Sequence, residues 1–379
     1  MVNLRSNKGR GLAEFILLFL IIALVAFFIY EIVFVDLFDI MKEDKNPVDT
    51  ISESIGNFVG NKFSNSKEQD NIEEIKPLIN TENNTLQEYA GNHYYYSQLD
   101  EYAKIIYKAL EDNRENMKNG TYKIDFGNQF NKLLKRSDGE QKLNIAFQSA
   151  WNAYTYDYPE IFYIDVTKLI LTTKTTSIGS FSNHKVSLSA EGNGNYYAEG
   201  ITSHSELLYK EKQAQNVRDK IVSDLNGYST YKQIKYVHDW LVDNLEYDTT
   251  YKQGDDGHSV YGALVKKRVV CEGYARTFKY ILDGLNIDNV LISGTATNSN
   301  GSTESHAWNY VKLDNKWYAI DVTWDDPIIQ GSGKLTNKLK YQYFLKGKNQ
   351  FLKNHVEEGY LSDNSIKFKF PELSSSNYD

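Results

Sequence analysis

The chain has 379 residues, more than the roughly 250 to 300 at which a single hydrophobic core stops growing, so its length predicts more than one module. Hydrophobic residues make up 41% and charged residues 24% of the chain, which excludes both a fully disordered chain and a polytopic membrane protein. The formal net charge is -8, and no stripe of lysine and arginine is interleaved with aromatic residues, so nucleic acid is not expected as a partner.

The first predicted element is a single transmembrane helix over residues 12–35, preceded by a short cytoplasmic N-terminus at residues 1–11. Its apolar stretch runs from Phe15 to Tyr30 and resumes after Glu31 up to Val35, which is long enough to cross a hydrocarbon core of about 30 Å. Basic residues precede this stretch and acidic residues follow it, which predicts that the C-terminal bulk faces outward. A cleaved signal peptide is the alternative, but the apolar stretch is longer than a usual h-region and no small-residue cleavage site follows it.

Residues 36–92 are predicted to form a polar, largely disordered tether. They are rich in Asn, Ser, Asp, Glu and Lys, with too few apolar residues to bury a core. The chain has one cysteine, Cys271, which rules out an intramolecular disulfide and a lipidated N-terminal cysteine.

Residues 93–226 are predicted to form an α+β module of unknown role. Apolar residues recur at helical spacing over 99–110, and a second helical stretch covers 141–156. Alternating segments with Gly, Asn and Ser turns between 172 and 200 predict hairpins, with a turn at residues 192–195. His184 and His204 have no acidic or cysteine neighbour at ligand spacing, so we expect no metal site here.

Residues 227–379 are predicted to form the catalytic domain, after a long amphipathic helix over 205–225. A second helix over 231–245 carries His238 on its apolar face, where we expect a histidine at the edge of the core. Beyond Pro327, residues 341–345 and 368–371 resemble closing β segments. His355 stands isolated between these segments, and we expect it to be structural.

Cys271 is expected to begin a helix, because apolar residues repeat on one helical face from Ala275 to Leu285. The unpaired N–H groups and the dipole at a helix N-terminus favour a thiolate. The alternative is a buried and inert cysteine that packs as a small apolar residue. Only its context can decide between the two.

That context is a predicted hairpin that brings His306 near Asp321. Residues 305–313 alternate as a strand, Asp314 begins the turn, and residues 317–324 return. A two-residue loop would place His306 opposite Thr323 with Asp321 one diagonal step away, whereas a four-residue loop would place Asp321 directly opposite. An ordinary polar pair on an exposed hairpin is the alternative interpretation.

Cysteine, histidine and aspartate are the residue types of a nucleophile, a base and a group that orients the base. Three ordered motifs resemble the transglutaminase-like superfamily: CEGYA at 271–275, HAWN at 306–309 and YAIDVTWD at 318–325. The resemblance covers about residues 231–327 and implies a papain-like α+β fold. It also implies Cys271 as nucleophile, His306 as general base and acid, and Asp321 as the residue that orients His306.

The resemblance implies an acyl-thioester intermediate, formed from a Gln carboxamide or a peptide carbonyl. An amine would resolve it by crosslinking, and water by deamidation or peptide hydrolysis. Expected substrates are extracellular proteins or wall peptides, and the Asn, Lys, Ile and Tyr content is typical of a low-GC bacterium. The alternative function is a catalytically inactive surface-binding or structural module that retains the fold.

Two further residues are candidates for substrate binding. The Cys271 backbone N–H can donate to an oxyanion, and Tyr261 is a candidate second donor. Trp308 is expected to line the cleft beside His306, although a packed hairpin residue is as good an interpretation. His258 lies in a polar loop that we expect to be solvated. No calcium-loop spacing is present, so we expect neither a metal nor a cofactor.

Overall fold

The computed structural model describes residues 66–67, 93–178, 181–250, 254–327, 335–358 and 368–379. The predicted membrane helix at 12–35 lies outside these residues, as does the predicted tether at 36–92 apart from residues 66–67. Within the described ranges, no helix is both long and apolar enough to cross a bilayer. All described residues belong to one structural unit, Phe63–Asp379.

The N-terminal part of the described chain combines helices with a four-stranded sheet. Its helices are α1 (Glu101–Asp112), α2 (Arg114–Met117), α3 (Asn131–Leu134) and α4 (Gly139–Asp157). Its strands are β1 (Ser66–Lys67), β2 (Ile124–Gly127), β3 (Leu169–Ile178) and β4 (Phe181–Ala190), in the order β1-β3-β4-β2. Both helices predicted in this part are therefore confirmed, as is the β3–β4 hairpin. The turn predicted at residues 192–195 follows β4 and does not join two strands of the sheet.

Local sequence explains where these elements begin. The Asp100 side chain accepts a hydrogen bond from the Ala103 N–H and so caps α1. Of the predicted apolar face of α1, Ile106 and Leu110 are buried, and Tyr102 and Ile105 are partly buried. Strands β3 and β4 pair in antiparallel register from Leu169 opposite Ala190 to Ile178 opposite Phe181.

The C-terminal part begins with long helices and continues into a second sheet. Its helices are α5 (His204–Asp224), α6 (Thr230–Asn244), α7 (Cys271–Gly284), α8 (Val322–Asp325), α9 (Asn337–Lys340) and α10 (Lys348–Phe351). Its strands are β5 (Glu246–Tyr247), β6 (Arg268–Val269), β7 (Asn289–Thr297), β8 (Thr303–Leu313), β9 (Lys316–Ile320) and β10 (His355–Glu357). Strands β10, β7, β8 and β9 form an antiparallel sheet in that order. Helix α7 packs on β7 and β8 and also contacts α5 and α6.

Side chains from both sides of the predicted boundary at residue 226 pack together. Trp308 and Tyr310 of β8 belong to the same buried cluster as Tyr107 of α1 and Phe147 of α4. On the other side of β8, Asn309 donates a hydrogen bond of 3.0 Å to the Ala275 carbonyl oxygen of α7. The second sheet is thus fixed between α7 and the N-terminal part of the described chain. The division at residue 226 itself stays a prediction.

Candidate active site

Cys271 is the first residue of α7, as the apolar repeat predicted, and its side chain is partly exposed. Val270 precedes it in an extended conformation and offers no side-chain cap, so the first N–H groups of α7 lack a capping side chain. Gly273 permits the close packing of this first turn. A Cβ at Gly273 would lie 2.5 Å from the Val269 Cβ and 2.8 Å from the Gly257 carbonyl oxygen. The glycine of the CEGYA motif therefore lets α7 start where it does.

The loop between β8 and β9 has two residues, which confirms the first of the two predicted hairpins and excludes the four-residue loop. Asp314 and Asn315 have φ angles of 50° and 62°, and Leu313 pairs with Lys316. Two consecutive positive φ angles are typical of a type I′ turn, in which Asp and Asn are tolerated.

The detailed pairing predicted for His306 is wrong, because β9 ends before it reaches that position. The β8–β9 ladder stops at Asn309 opposite Ile320, and the chain then turns into α8. Thr323 is therefore a helical residue and does not face His306 across the sheet. Asp321 is the N-cap of α8, and its Oδ1 accepts a hydrogen bond of 3.1 Å from the Trp324 N–H.

The structure nevertheless brings His306 and Asp321 together. The His306 Nε2 lies 2.8 Å from the Asp321 Oδ2, and the two residues are 5% and 0% exposed. Because Trp324 holds the other carboxylate oxygen, the orientation of Asp321 is fixed by its own helix. A buried pair of this kind differs from the exposed polar pair that was the alternative interpretation.

Cys271 lies close enough to His306 to act on its pKa. Because Asp321 occupies Nε2, Nδ1 is the ring nitrogen left for the sulfur. Burial acts to lower the pKa of His306, but the charge and hydrogen bond of Asp321, together with Cys271, outweigh it and raise that pKa to about 10. The His306 ring is therefore positioned to carry a proton on the side that faces Cys271.

Asp321 is held in its charged form. Burial alone would raise the pKa of the Asp321 carboxyl, but the charges and hydrogen bonds of His306 and His355 keep it well below the usual range. Asp321 thus stays an acceptor for imidazole N–H groups across the neutral range.

His355 is part of this cluster, and the expectation that it stands isolated is wrong. Its Nε2 lies 3.1 Å from the same Asp321 Oδ2, and its side chain is fully buried. Strand β10 carries it to the edge of the sheet, where it pairs with Ala296 of β7. No short sequence motif surrounds His355, and only the pairing of a three-residue strand brings it to Asp321.

His306, Asp321 and His355 each offer one ligand atom, and the three atoms lie within 4.8 Å of one another. Two imidazoles and a carboxylate are a donor set that zinc or another transition metal accepts. Here both ring nitrogens are at hydrogen-bond distance from the same oxygen, so a metal ion would have to replace both hydrogen bonds. The absence of a metal requirement stays a prediction.

Residues 216–322 match the core of the transglutaminase-like superfamily, Transglut_core. This range contains Cys271, His306 and Asp321. No curated protein matches the chain.

Three of the similar solved structures are the following. One is a TGase, 14% identical with a TM-score of 0.28, for which the match covers 47% of this chain and 50% of the other. Another is the periplasmic domain of TgpA from Pseudomonas aeruginosa, 14% identical with a TM-score of 0.24, covering 38% and 54%. A third is an arylamine N-acetyltransferase from Bacillus cereus, 16% identical with a TM-score of 0.24, covering 29% and 49%. The chain thus spans about half the length of each, and TM-scores of this size carry no weight for fold or function.

Residues 216–322 form a transglutaminase-like domain. The resemblance read from the three motifs is thereby confirmed. A domain of this kind indicates a thiol-dependent enzyme of the acyl-transfer or protease-like class. Its N-terminal limit lies inside α5, eleven residues ahead of the predicted boundary at residue 227, and His355 lies beyond its C-terminal limit.

Of the two candidate substrate-binding residues, Trp308 lies inside the transglutaminase-like domain and not on its surface. It is 1% exposed, and its ring centroid lies 5.0 Å from that of His355 and 5.9 Å from that of Phe351. Trp308 therefore packs beside the histidines. Trp324 is the partly exposed tryptophan near His306, with ring centroids 5.3 Å apart, and the sequence analysis did not single it out.

The Tyr261 side chain points toward the N-terminal part of the described chain. It stacks on Phe162 with ring centroids 6.2 Å apart, and the Lys210 ammonium lies 5.0 Å from its ring centroid. It is 9% exposed. Among the described residues, its recorded ring contacts are to these neighbours and to Lys266, and not to Cys271 or His306. Its role as an oxyanion donor stays a prediction.

A cavity of about 260 Å³ lies beside the first turn of α7 in the transglutaminase-like domain. Glu272 and Arg276 line it from α7, and the exposed His258 lines it from the loop before β6. The His258 Nδ1 lies 2.9 Å from Glu272, and the Arg276 Nε lies 2.7 Å from the other oxygen of the same carboxylate. The opposite wall belongs to the N-terminal part: Ile161, Phe162, Ile164, Asp165, Val166 and Ala198.

His238 is fully buried, so the expectation of a histidine at the edge of the core is wrong. Its Nε2 lies 3.1 Å from the Asp325 Oδ2, and both side chains have no exposed surface. Its Nδ1 lies 3.1 Å from Asp239 on the same helix. This second His–Asp pair ties α6 to the end of α8, whose N-cap is Asp321. It therefore helps to fix the helix on which Asp321 depends.

Proposed function

We propose that this chain is a membrane-anchored, outward-facing thiol enzyme that forms an acyl-thioester on Cys271. The observation that supports it most directly is the buried His306–Asp321 pair beside a partly exposed cysteine at a helix N-terminus. A histidine whose pKa is raised to about 10 keeps a proton beside the sulfur and can deliver it to a leaving group.

The proposed reaction begins when the Cys271 sulfur attacks the carbonyl carbon of a Gln carboxamide or a peptide bond. The Cys271 backbone N–H at the start of α7 can donate to the oxyanion that forms. His306 then donates its Nδ1 proton to the departing amine, which breaks the C–N bond and leaves the acyl group on sulfur. A second amine, or water, gives a proton back to His306 and releases the acyl group as a new amide or as a carboxylic acid.

The membrane anchor and the outward orientation belong to this proposal and rest on the sequence. The apolar stretch within residues 12–35, with basic residues before it and acidic residues after it, supports a single span with a cytoplasmic N-terminus. Proteins or wall peptides outside the cell are then the substrates within reach of the enzyme. The composition supports a low-GC bacterium as the source.

Mass spectrometry of products tests the proposed function. The full chain, solubilised in detergent, is incubated with an unfolded Gln-rich protein and methylamine. We expect Cys271-dependent modification: methylamine attached to Gln identifies transamidation, Gln converted to Glu identifies deamidation, and new chain termini identify peptide hydrolysis. Cys271→Ala is the control and should give none of these products. Absence of product with the native chain, or equal product with Cys271→Ala, would overturn the proposal in favour of a binding module.

The cavity beside α7 is proposed to hold part of the substrate, which would give the N-terminal part a role in recognition. Val166→Trp places a large ring in this cavity and is expected to raise KM for the protein substrate about tenfold, or ~1.4 kcal/mol of binding. The rate at which iodoacetamide alkylates Cys271 should not change, because the small reagent needs no cavity.

Asn193→Trp is the matched control, since Asn193 is exposed on the turn after β4 and does not line the cavity. It should leave both KM and the alkylation rate at native values. An unchanged KM in Val166→Trp would mean that the substrate approaches Cys271 from another side.

A further inference from the structure

The Asp321 carboxylate is held by three donors at once. Its Oδ1 receives the Trp324 N–H at 3.1 Å, and its Oδ2 is shared by His306 Nε2 at 2.8 Å and His355 Nε2 at 3.1 Å. The three charged or polar side chains are almost fully buried: His306 is 5%, Asp321 0% and His355 1% exposed. His355 lies outside the range matched by the transglutaminase-like superfamily, residues 216–322.

The packing around His355 fixes the plane of its ring. The ring stacks on Phe351 with centroids 4.0 Å apart and an interplanar angle of 22°. The Trp324 ring lies 4.7 Å away and the Trp308 ring 5.0 Å away. A ring enclosed by three aromatic side chains has little freedom to turn from Asp321.

The acceptor that faces each ring nitrogen determines which nitrogen carries a proton. The Asp321 carboxylate can only accept a hydrogen bond, so the His355 Nε2, 3.1 Å from it, bears a proton and donates. On the far side of the ring, His355 Nδ1 lies 3.0 Å from the Asn354 Oδ1. The Asn354 amide nitrogen donates to the Tyr343 hydroxyl at 3.0 Å, and that hydroxyl also accepts from Gln342 at 3.3 Å.

We propose that His355 is a positioning residue for the chemistry at Cys271, an inference that rests on the proposed function. It donates to Asp321 and transfers no proton itself. With Oδ1 held by Trp324 and Oδ2 by His355, the carboxylate cannot rotate, and it presents a fixed acceptor to His306. His306 Nε2 must then bear a proton, which directs Nδ1 to the sulfur.

The same arrangement maintains the charge on His306. Asp321 raises the pKa of His306 only while its oxygen stays at hydrogen-bond distance from Nε2. Other titratable groups that act on this cluster are Cys271 on α7, Asp325 at the end of α8, and Tyr343. These groups are unchanged when His355 alone is replaced, so a change in His306 can be traced to the position of Asp321.

The test compares two substitutions in the detergent-solubilised full chain. His355→Phe keeps a ring that can stack on Phe351 but removes the donor, whereas His355→Gln supplies an amide N–H of sufficient reach to bond Asp321. We expect His355→Phe to lower kcat for methylamine incorporation about tenfold or more, with KM within about twofold of the native value. We expect His355→Gln to keep most of the native kcat. His204→Phe, at the exposed start of α5, is the matched control and should behave as native.

The second readout is the ratio of the Cys271 alkylation rates at about pH 6 and about pH 9, which brackets the ordinary cysteine pKa near 8.5. We expect this ratio to fall in His355→Phe and to stay near native in His355→Gln, because the thiolate depends on protonated His306. An unchanged ratio and kcat in His355→Phe would overturn the proposal. The proposal would also be overturned if both variants lost kcat equally and had a raised KM, because that result would indicate a structural role only.

Two measurements keep the test decisive. Near-ultraviolet circular dichroism establishes that each variant is folded. If His355→Phe does not fold, His355→Asn replaces it, because its shorter amide does not reach Asp321 and should show the same loss relative to Gln. If the native chain has no turnover, the proposed function fails. The alkylation ratio still tests the positioning role, since it requires only the thiol and His306.

Discussion

Replacing His306 with alanine is expected to lower kcat by about 10³- to 10⁴-fold and to remove the reactivity of Cys271 at acidic pH. His306 has its pKa raised to about 10, so it carries a proton below that value and stabilises a neighbouring thiolate. As the pH rises through about 10, His306 loses this proton, and its positive charge no longer stabilises the thiolate. In the alanine variant, alkylation of Cys271 should follow an ordinary thiol with a pKa near 8.5.

The measurement is the alkylation rate of Cys271 by iodoacetamide as a function of pH, together with turnover of the Gln-containing protein. His204→Ala serves as the control for a histidine outside the site, and circular dichroism verifies the fold. Identical pH profiles for the native chain and His306→Ala would show that the imidazole does not act on the sulfur. The thiol would then be an unassisted cysteine, and the binding-module alternative would be favoured.

Local sequence patterns were sufficient to predict the position of Cys271 and the hairpin that carries His306. The apolar repeat from Ala275 to Leu285 needs only the helical period, and the structure starts α7 at Cys271 as expected. Asp314 and Asn315 tolerate positive φ, which indicates a turn at these residues, but the sequence left a two-residue and a four-residue loop both open. These signals lie within a few residues of the feature that they determine.

The position of Asp321 shows where such reasoning is limited. The alternation of side chains along two paired strands predicted that Asp321 would lie near His306, and the two side chains do form a contact. The reason is different, because β9 ends at Ile320 and Asp321 caps the helix that follows. Strand alternation cannot show where a strand gives way to a helix, since that depends on the competition between ladder and cap hydrogen bonds.

His355 and the cavity beside α7 could not be predicted because both depend on contacts between distant parts of the chain. His355 meets Asp321 across 34 residues through β10, which has three residues and no alternating pattern. The cavity pairs Glu272 of α7 with Val166 of the N-terminal part. The sequence also could not decide whether Trp308 lines the cleft or packs in the core, because an aromatic residue beside a histidine has the same sequence pattern in both cases.

The site depends on both halves of the described chain. Tyr156 at the end of α4 packs against Ala275, Leu291 and Ala307, next to His306, and its hydroxyl donates to Ser293 at 3.1 Å. Arg276 of α7 donates a hydrogen bond of 3.0 Å to the Thr155 carbonyl oxygen. The N-terminal part thus supports the helix and sheet that carry Cys271 and His306. This shared packing explains why side chains on both sides of residue 226 enter one core.

Replacing Asp321 with asparagine is expected to lower kcat by about 10³- to 10⁴-fold while leaving the fold in place. The Asn oxygen can still accept the Trp324 N–H, because asparagine is a good N-cap. Its amide nitrogen would then face the two imidazoles and donate to them. His306 would have to accept at Nε2 and carry its proton on Nδ1, the nitrogen that faces the sulfur, so a neutral His306 could no longer take the thiol proton.

The same substitution removes the charge that raises the pKa of His306, while the burial that lowers it remains. The pKa of His306 should therefore fall from about 10, and the ratio of Cys271 alkylation rates at about pH 6 and about pH 9 should fall with it. Asp314→Asn, the same chemical change at the hairpin turn, should alter neither kcat nor the ratio, because Asn suits a positive φ. If Asp321→Asn kept kcat within about tenfold of native with an unchanged ratio, the carboxylate would not orient His306, and the positioning role inferred for His355 would lose its basis.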